Sequence, residues 1–161
     1  GQQVAEKIGA ELYKTPAPLF NSIRDEVDRN ANATARFFFY LAGVIQASAE
    51  ISHILKARSV ICDRYLLTTV CYHRVLDITI NIPDYIFEPL LKPDYTFLIV
   101  CEETKRISRL HKRGLSYNDS QEQRLKTEQS FLSEYRKHCL VEVDNSCDDP
   151  TVASDTILRL L

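Results

Sequence analysis

The chain has 161 residues, of which 45% are apolar and 26% charged, a composition typical of one globular domain with a hydrophobic core. A net charge of −2 without a basic stripe argues against a nucleic-acid partner. No continuous apolar run approaches the roughly 20 residues that span a bilayer, so no membrane partner is expected. The five cysteines fit no zinc spacing and are typical of reduced thiols, and the first residues lack signal-peptide features, which together predict a cytoplasmic protein.

Strands and helices alternate along the chain, which predicts an α/β fold with a mostly parallel sheet. A first helix over residues 2–8 should end at Gly9, a residue suited to a left-handed cap. Apolar periodicity predicts the longest helix from Thr34 to Lys56, and Asp149-Pro150 predicts the start of the last one. Strands are predicted over residues 10–15, 59–62, 95–100 and 140–143. Further helices are predicted from about residue 21, after residue 63, over 83–91, up to residue 114 and over 121–138, with a polar loop over 115–120.

A carboxylate and a guanidinium, Asp63 and Arg64, directly follow the apolar strand at residues 59–62. The carboxyl ends of buried parallel strands are where open α/β sheets bind ligands. A carboxylate suits Mg²⁺, directly or through water, and a guanidinium can bind phosphate through two hydrogen bonds. An isolated Asp-Arg pair is more often structural, but here the segment continues as DRYLLTTVCYH, with further polar and aromatic side chains.

This segment resembles the DR(Y/H)xxSTxAYQ signature of the thymidylate kinase family, P-loop enzymes that phosphorylate pyrimidine nucleoside monophosphates. Other segments resemble motifs of that family in the same order: Lys14-Thr15-Pro16 followed by Ile23-Arg24, then KPDYT at 92–96, Arg109-x-x-x-Arg113-Gly114, and Val143-Asp144-Asn145-Ser146. The pattern is nearest to the UMP-CMP kinase-like branch. The resemblance implies a single three-layer α/β/α P-loop kinase-like domain with a parallel sheet and a short lid over about residues 114–120.

The resemblance also implies roles for individual residues. Asp63 would hold Mg²⁺ or orient the acceptor, Arg64 and Arg24 would bind the acceptor phosphate, and Arg109 and Arg113 would neutralise charge in the transition state. The side chains expected to contact the acceptor nucleotide elsewhere are Phe38, Tyr65, Thr68, Tyr72 and His73. Core packing is the competing interpretation for Tyr72 and for the aromatic cluster at residues 37–40.

The implied donor and cofactor are ATP and Mg²⁺. Asp144 and Asn145 would border the adenine of ATP. The same resemblance favours a homodimer packed through the long helices.

Three departures from the family pattern concern the acceptor. Gly43 stands near the position of a family arginine that contacts the acceptor phosphate, His73 replaces a glutamine beside the base, and Asn118-Asp119 stands where the lid often has Asp-Arg. These departures argue against dTMP as the acceptor within the class of dTMP, UMP and CMP. They leave open another pyrimidine monophosphate, a nucleoside or another small molecule as acceptor.

The 161 residues contain no G-x-x-x-x-G-K-S/T segment. The family has five parallel strands, and the first, which leads into the P-loop, lies in the middle of the sheet. Without it, two rows of buried backbone groups would lack partners, at a cost of about 1–3 kcal/mol each. We therefore expect an apolar strand and a glycine-rich loop ending in Gly-Lys-Ser/Thr upstream of Gly1. A protein that truly lacks this loop would instead be a noncatalytic nucleotide-binding or scaffolding protein.

Overall fold

The computed structural model describes residues 1–76, 83–120, 128–138 and 140–161. It divides the chain into two compact units, Gly1–Pro93 and Asp94–Leu161. Both units combine helices with parallel strands, which confirms the α/β class. The cysteines at 62, 71, 101 and 147 form no disulfide among the described residues, and Cys139 lies outside them.

The first unit contains two strands and the longest helix among the described residues. Its elements are α1 (Gln2–Ile8), β1 (Glu11–Lys14), a 3₁₀ helix (Pro18–Ile23), α2 (Arg24–Asn30), α3 (Ala33–Ile54), β2 (Val60–Asp63), α4 (Leu66–Val75) and a 3₁₀ turn (Asp84–Ile86). Gly9 ends α1 at φ 66°, which confirms the predicted left-handed cap. The helix expected over residues 83–91 is wrong beyond the 3₁₀ turn. The part of it that the structure describes beyond residue 86 is irregular or turn-like.

Strands β1 and β2 pair in parallel, with Glu11 opposite Val60 and Lys14 opposite Asp63. The core beside them is formed by Tyr13, Ala17, Ala47 and Ile51. Because β1 and β2 run in the same direction, their carboxyl ends lie at one edge of this sheet.

Helix α3 has 22 residues and begins at the Asn32 cap, whose side chain accepts a hydrogen bond from the Ala35 N–H at 2.9 Å. By length and composition alone it could cross a membrane, although it contains no continuous apolar run of that length. Core helices of soluble proteins meet the same criterion, and α3 buries Leu41 and Val44 among its apolar residues. A membrane span is therefore not indicated.

The second unit contains the other pair of parallel strands. Its elements are β3 (Phe97–Val100), α5 (Glu103–Arg113), a helical segment at residues 117–120, α6 (Glu128–Arg136), β4 (Val141–Asp144) and α7 (Pro150–Leu160). Phe97 lies opposite Val141 and Val100 opposite Asp144. The Asp149 carboxylate accepts a hydrogen bond from the Thr151 N–H at 2.9 Å, which confirms the predicted start of the last helix.

The predicted polar loop over residues 115–120 is partly wrong, because residues 117–120 are helical. The reason is a pair of hydrogen bonds between Ser116 and Asp119. The Ser116 N–H donates to the Asp119 carboxylate at 3.0 Å, and the Asp119 N–H donates to the Ser116 hydroxyl at 3.2 Å. This reciprocal pair is a capping box, which starts a helix. The helix predicted over 121–138 is described only from residue 128 and is helical there through Arg136.

Candidate active site

The Asp-Arg motif lies at the carboxyl edge of the β1–β2 sheet. Asp63 is the last residue of β2 and stands opposite Lys14, while the Thr15 N–H donates to the Asp63 carbonyl at 3.3 Å. Both Asp63 and Arg64 are exposed. Neither side chain forms a hydrogen bond or ion pair with any residue that the structure describes. Among the described residues, the carboxyl edge of this sheet therefore presents an unpaired carboxylate and an unpaired guanidinium side by side, and in open α/β sheets this is the edge at which ligands bind.

Arg64 has a left-handed backbone, with φ 67°, which is uncommon for a residue with a side chain. Its carbonyl accepts a hydrogen bond from the Cys62 thiol at 2.9 Å, and burial, followed by the neighbouring Asp63 charge, raises the pKa of that thiol to about 12. Such conformations cost on the order of 1–3 kcal/mol and concentrate at functional sites. The backbone geometry of Arg64 therefore points to a functional position.

Helix α4 starts directly beyond this pair. Tyr65 precedes its first residue, Thr68 is half-buried in the first turn, and Tyr72 is half-buried further along. The Tyr65 hydroxyl is buried beside Ser48, and burial raises its pKa while the Ser48 hydroxyl opposes that shift. The motif thus places its residues on one short helix that follows the sheet edge.

His73 is only 2% exposed. Its ring packs edge-on against Phe37 and Tyr72, with centroids at 5.0 and 5.3 Å, and lies 6.0 Å from the Tyr40 ring. Nδ1 lies 2.8 Å from the Thr69 carbonyl, which can only accept, so Nδ1 carries the proton and Nε2 is left as an acceptor. Nε2 has no hydrogen-bond partner among the described residues.

Burial lowers the pKa of His73, whereas its hydrogen bond to the Thr69 carbonyl opposes this shift. The charged and titratable groups around the ring are Arg36 and Tyr40 on α3, Asp28 on α2, and Tyr72 on its own helix. Between this lowered pKa and the unfolded value of 6.5, the unfolded chain binds more protons than the folded one. Stability should therefore decrease as the pH falls below about 6.5, by about 1.4 kcal/mol for each unit of pKa depression.

We expect His73→Gln to remove this part of the acid sensitivity, because the amide does not titrate. Urea unfolding of both proteins at several pH values between 7.5 and 5 measures the difference. His53→Gln is the matched control, since His53 is exposed, and it should keep the wild-type pH dependence. Parallel pH profiles for His73→Gln and the wild type would contradict the expectation.

The two neighbouring phenylalanines of α3 differ in exposure. Phe38, the residue expected to face the base, is 47% exposed, whereas Phe37 is buried against the His73 ring. Phe38 remains available to a ligand or to another surface. Phe37 serves the packing between α3 and α4.

Arg24 is held by a network that the sequence did not reveal. Its Nε donates to the Tyr40 hydroxyl at 3.1 Å, and that hydroxyl donates to the Asp28 carboxylate at 2.8 Å. Asp28 is buried, and its other oxygen lies 3.8 Å from the Arg24 Nε. Burial, followed by the hydrogen bond to Asp28, raises the pKa of Tyr40. The spacing of Arg24 and Asp28, four residues apart on one helix face, was the available signal.

Two arginines of α5 have different partners in the second unit. Arg113 is 63% exposed and binds the Asp119 carboxylate at 2.9 Å, the same group that caps the following helical segment. Although partial burial raises the pKa of Asp119, hydrogen bonds from Ser116 and the Arg113 charge bring it below its ordinary value. Arg109 instead donates to the backbone carbonyls of Asn145 and Cys147, both at 2.6 Å.

Asp144 and Asn145, the two residues predicted to border the adenine of ATP, lie at the end of β4, the strand that pairs with β3. Asp144 is exposed, and its carboxylate accepts a hydrogen bond from the Ser146 N–H at 2.9 Å. The Asn145 N–H donates to the Val100 carbonyl at 2.8 Å. The loop is therefore ordered by backbone and side-chain hydrogen bonds within its own unit.

The family model for thymidylate kinase matches residues 17–149, which is most of the chain. A curated relative, the probable thymidylate kinase of Methanocaldococcus jannaschii, is 29% identical over 92 residues, covering 57% of this chain and 47% of that protein. The chain thus spans about half the length of this relative. The solved structure of a thymidylate kinase from Candida albicans superimposes with a TM-score of 0.74 at 18% identity, covering 99% of this chain and 82% of that one, which confirms the P-loop kinase-like fold. Because the family model matches most of the length of this chain, the chain belongs to the thymidylate kinase family.

Proposed function

We propose that the protein transfers the γ-phosphate of ATP to a pyrimidine nucleoside monophosphate of the dTMP, UMP or CMP type. The observation that carries the proposal is the free Asp63–Arg64 pair at the carboxyl edge of a parallel sheet, with Arg64 in a left-handed conformation. Phosphoryl transfer depends on positioning and charge neutralisation, and this edge supplies one group of each sign. Family membership supports the same chemistry.

Each side chain has an assigned task in this proposal. Arg64 binds the acceptor phosphate through its exposed guanidinium, and Arg24 assists from its Tyr40–Asp28 support. The Arg113 guanidinium, which is 63% exposed, neutralises charge on the transferring group after it leaves the Asp119 carboxylate. Phe38, Tyr65, Thr68 and Tyr72 contact the acceptor, and the buried His73 supports them by packing against the Tyr72 ring.

The donor set at Asp63 fits Mg²⁺, because the carboxylate is exposed and has no partner among the described residues. Asp63 would hold the ion directly or through water. A bound Mg²⁺ would supply charge neutralisation on the phosphates.

The proposal includes a strand and a P-loop contributed by residues before Gly1, giving one kinase-like domain. In the described residues, β1 pairs only with β2 and β3 only with β4. A two-stranded sheet is marginal on its own, so both pairs would gain from a further strand. The proposal also includes a homodimer packed through α3, on which Ile45 is 44% exposed.

A nucleoside kinase on the same scaffold is the second candidate, and Gly43 is the observation that favours it. A Cβ at Gly43 would lie 2.7 Å from the Pro16 Cβ, so α3 has no room there for the arginine that the family uses on the acceptor phosphate. An acceptor without a phosphate would not need that arginine.

Coupled ADP-release assays on the full-length protein separate these candidates. UMP, CMP and dTMP would be compared with uridine, cytidine and thymidine, each with ATP and Mg²⁺. We expect turnover with at least one monophosphate and little with any nucleoside. Turnover with nucleosides alone would favour the second candidate, and no ADP release with any acceptor would favour a noncatalytic binding protein.

A further inference from the structure

The loop after β4 is attached to α5 chiefly through Arg109. The Nη1 of Arg109 donates to the Asn145 carbonyl and its Nη2 to the Cys147 carbonyl, both at 2.6 Å. Nη1 also lies 3.6 Å from the Cys101 sulfur. The two carbonyls lie 36 and 38 residues along the chain from the arginine, so one side chain joins distant segments.

Weaker contacts support the same attachment. Lys105 binds both oxygens of Asp148 at 2.9 and 2.8 Å, and the Glu102 N–H donates to the Ser146 hydroxyl at 2.8 Å. The Lys105–Asp148 pair is exposed on both sides, and exposed ion pairs contribute little to stability. Hydrogen bonds from a charged donor to backbone carbonyls are stronger than such exposed ion pairs. Arg109 is therefore the main link between the loop and α5.

The geometry distinguishes Arg109 from Arg113. A guanidinium binds phosphate through a fork of two N–H groups, and both Nη atoms of Arg109 already donate to carbonyls of the loop. Arg113 binds one carboxylate, that of Asp119, through one Nη atom, and because the Arg113 side chain is 63% exposed it can exchange this partner for a phosphate. The two arginines, equivalent in the sequence, thus have different chemistry in the fold.

We infer that Arg109 is a positioning residue that holds the loop at residues 144–148 in place for the donor nucleotide, and that it does not bind the transferring phosphate. This inference rests on the proposed function, in which the loop borders the base of ATP. Removal of the Arg109 side chain should therefore weaken binding of the donor nucleotide and leave acceptor binding and the chemical step largely unaffected.

Steady-state kinetics of Arg109→Ala test this assignment. We expect the KM for ATP to rise about tenfold or more, with kcat within about threefold of the wild type and the KM for the acceptor unchanged. Arg136→Ala is the matched control, because Arg136 makes a similar two-pronged contact, to Glu142, in the same unit, and it should leave all three constants unchanged. A fall of about 100-fold in kcat at an unchanged KM for ATP would overturn the inference.

Arg109→Lys sharpens the test. A lysine keeps the charge but cannot bridge two carbonyls, so positioning predicts a KM close to that of the alanine variant, whereas charge neutralisation predicts nearly wild-type kinetics. Hydrogen exchange provides a readout without turnover, and the amides of residues 144–148 should exchange faster in Arg109→Ala than in Arg136→Ala. If the wild type phosphorylates nothing, the proposed function fails, and the exchange result alone decides whether Arg109 holds the loop. Unchanged exchange would refute it.

Discussion

Arg64→Ala should lower kcat/KM by about 10²–10³-fold, because it removes a charged hydrogen-bond donor from the acceptor phosphate. The free energy of unfolding should change by less than about 1 kcal/mol, since the exposed guanidinium has no partner among the described residues. Turnover of the preferred monophosphate and urea unfolding, measured on the same preparation, provide the comparison. Comparable losses in both would favour a structural role for Arg64.

Arg64→Gly separates the effect of the backbone conformation on stability from the effect of the side chain on activity. It should lose as much activity as Arg64→Ala yet be more stable than that variant by about 1 kcal/mol, because glycine adopts a positive φ without strain. Arg58→Ala is the matched control for charge, since Arg58 precedes β2 and therefore lies toward the opposite end of the strand. It should retain wild-type turnover.

Gly43→Ala should destabilise the protein by about 1–3 kcal/mol, although alanine is normally the better residue in a helix by about 1 kcal/mol. The reason is the Pro16 ring, whose Cβ would lie 2.7 Å from the new methyl group and which cannot move aside as a flexible side chain can. The Phe20 ring at 3.8 Å closes the same space. Thermal and urea unfolding measure the effect.

Ala42→Gly provides the contrasting substitution one residue earlier on α3. Ala42 is exposed, so the change should cost only the helix propensity of about 1 kcal/mol. Gly43→Arg, which restores the side chain of the family pattern, should be worse than Gly43→Ala and should not raise activity on monophosphates. A stable Gly43→Arg variant with improved turnover would show that α3 and the Pro16 turn can separate.

The local elements followed from the sequence because their signals are local. Gly9 ends α1 in the left-handed conformation, Asp149 caps the last helix, and the apolar periodicity located α3 to within a few residues. The capping box of Ser116 and Asp119 was equally readable, since it needs only a serine and an acid three residues apart. The prediction of a helix over residues 83–91 was wrong because a proline and apolar residues do not distinguish a helix from a series of turns.

The partners of the arginines did not follow from the sequence. Arg24 donates a hydrogen bond to Tyr40 on the next helix, and Arg109 donates to carbonyls 36 and 38 residues away. Arg113 donates to the Asp119 carboxylate across a turn. Backbone carbonyls carry no sequence signal, so nothing in the residue types near Arg109 indicated its partners.

The sequence by itself determined the family and the order of its motifs, because a strand followed by Asp63-Arg64 and the later segments are patterns of adjacent residues. Only the tertiary structure decided which charged groups remain free for a ligand. The Arg64 guanidinium is free among the described residues and the Arg109 guanidinium is not, because a side chain's hydrogen-bond partners depend on which distant segments packing brings within about 3 Å.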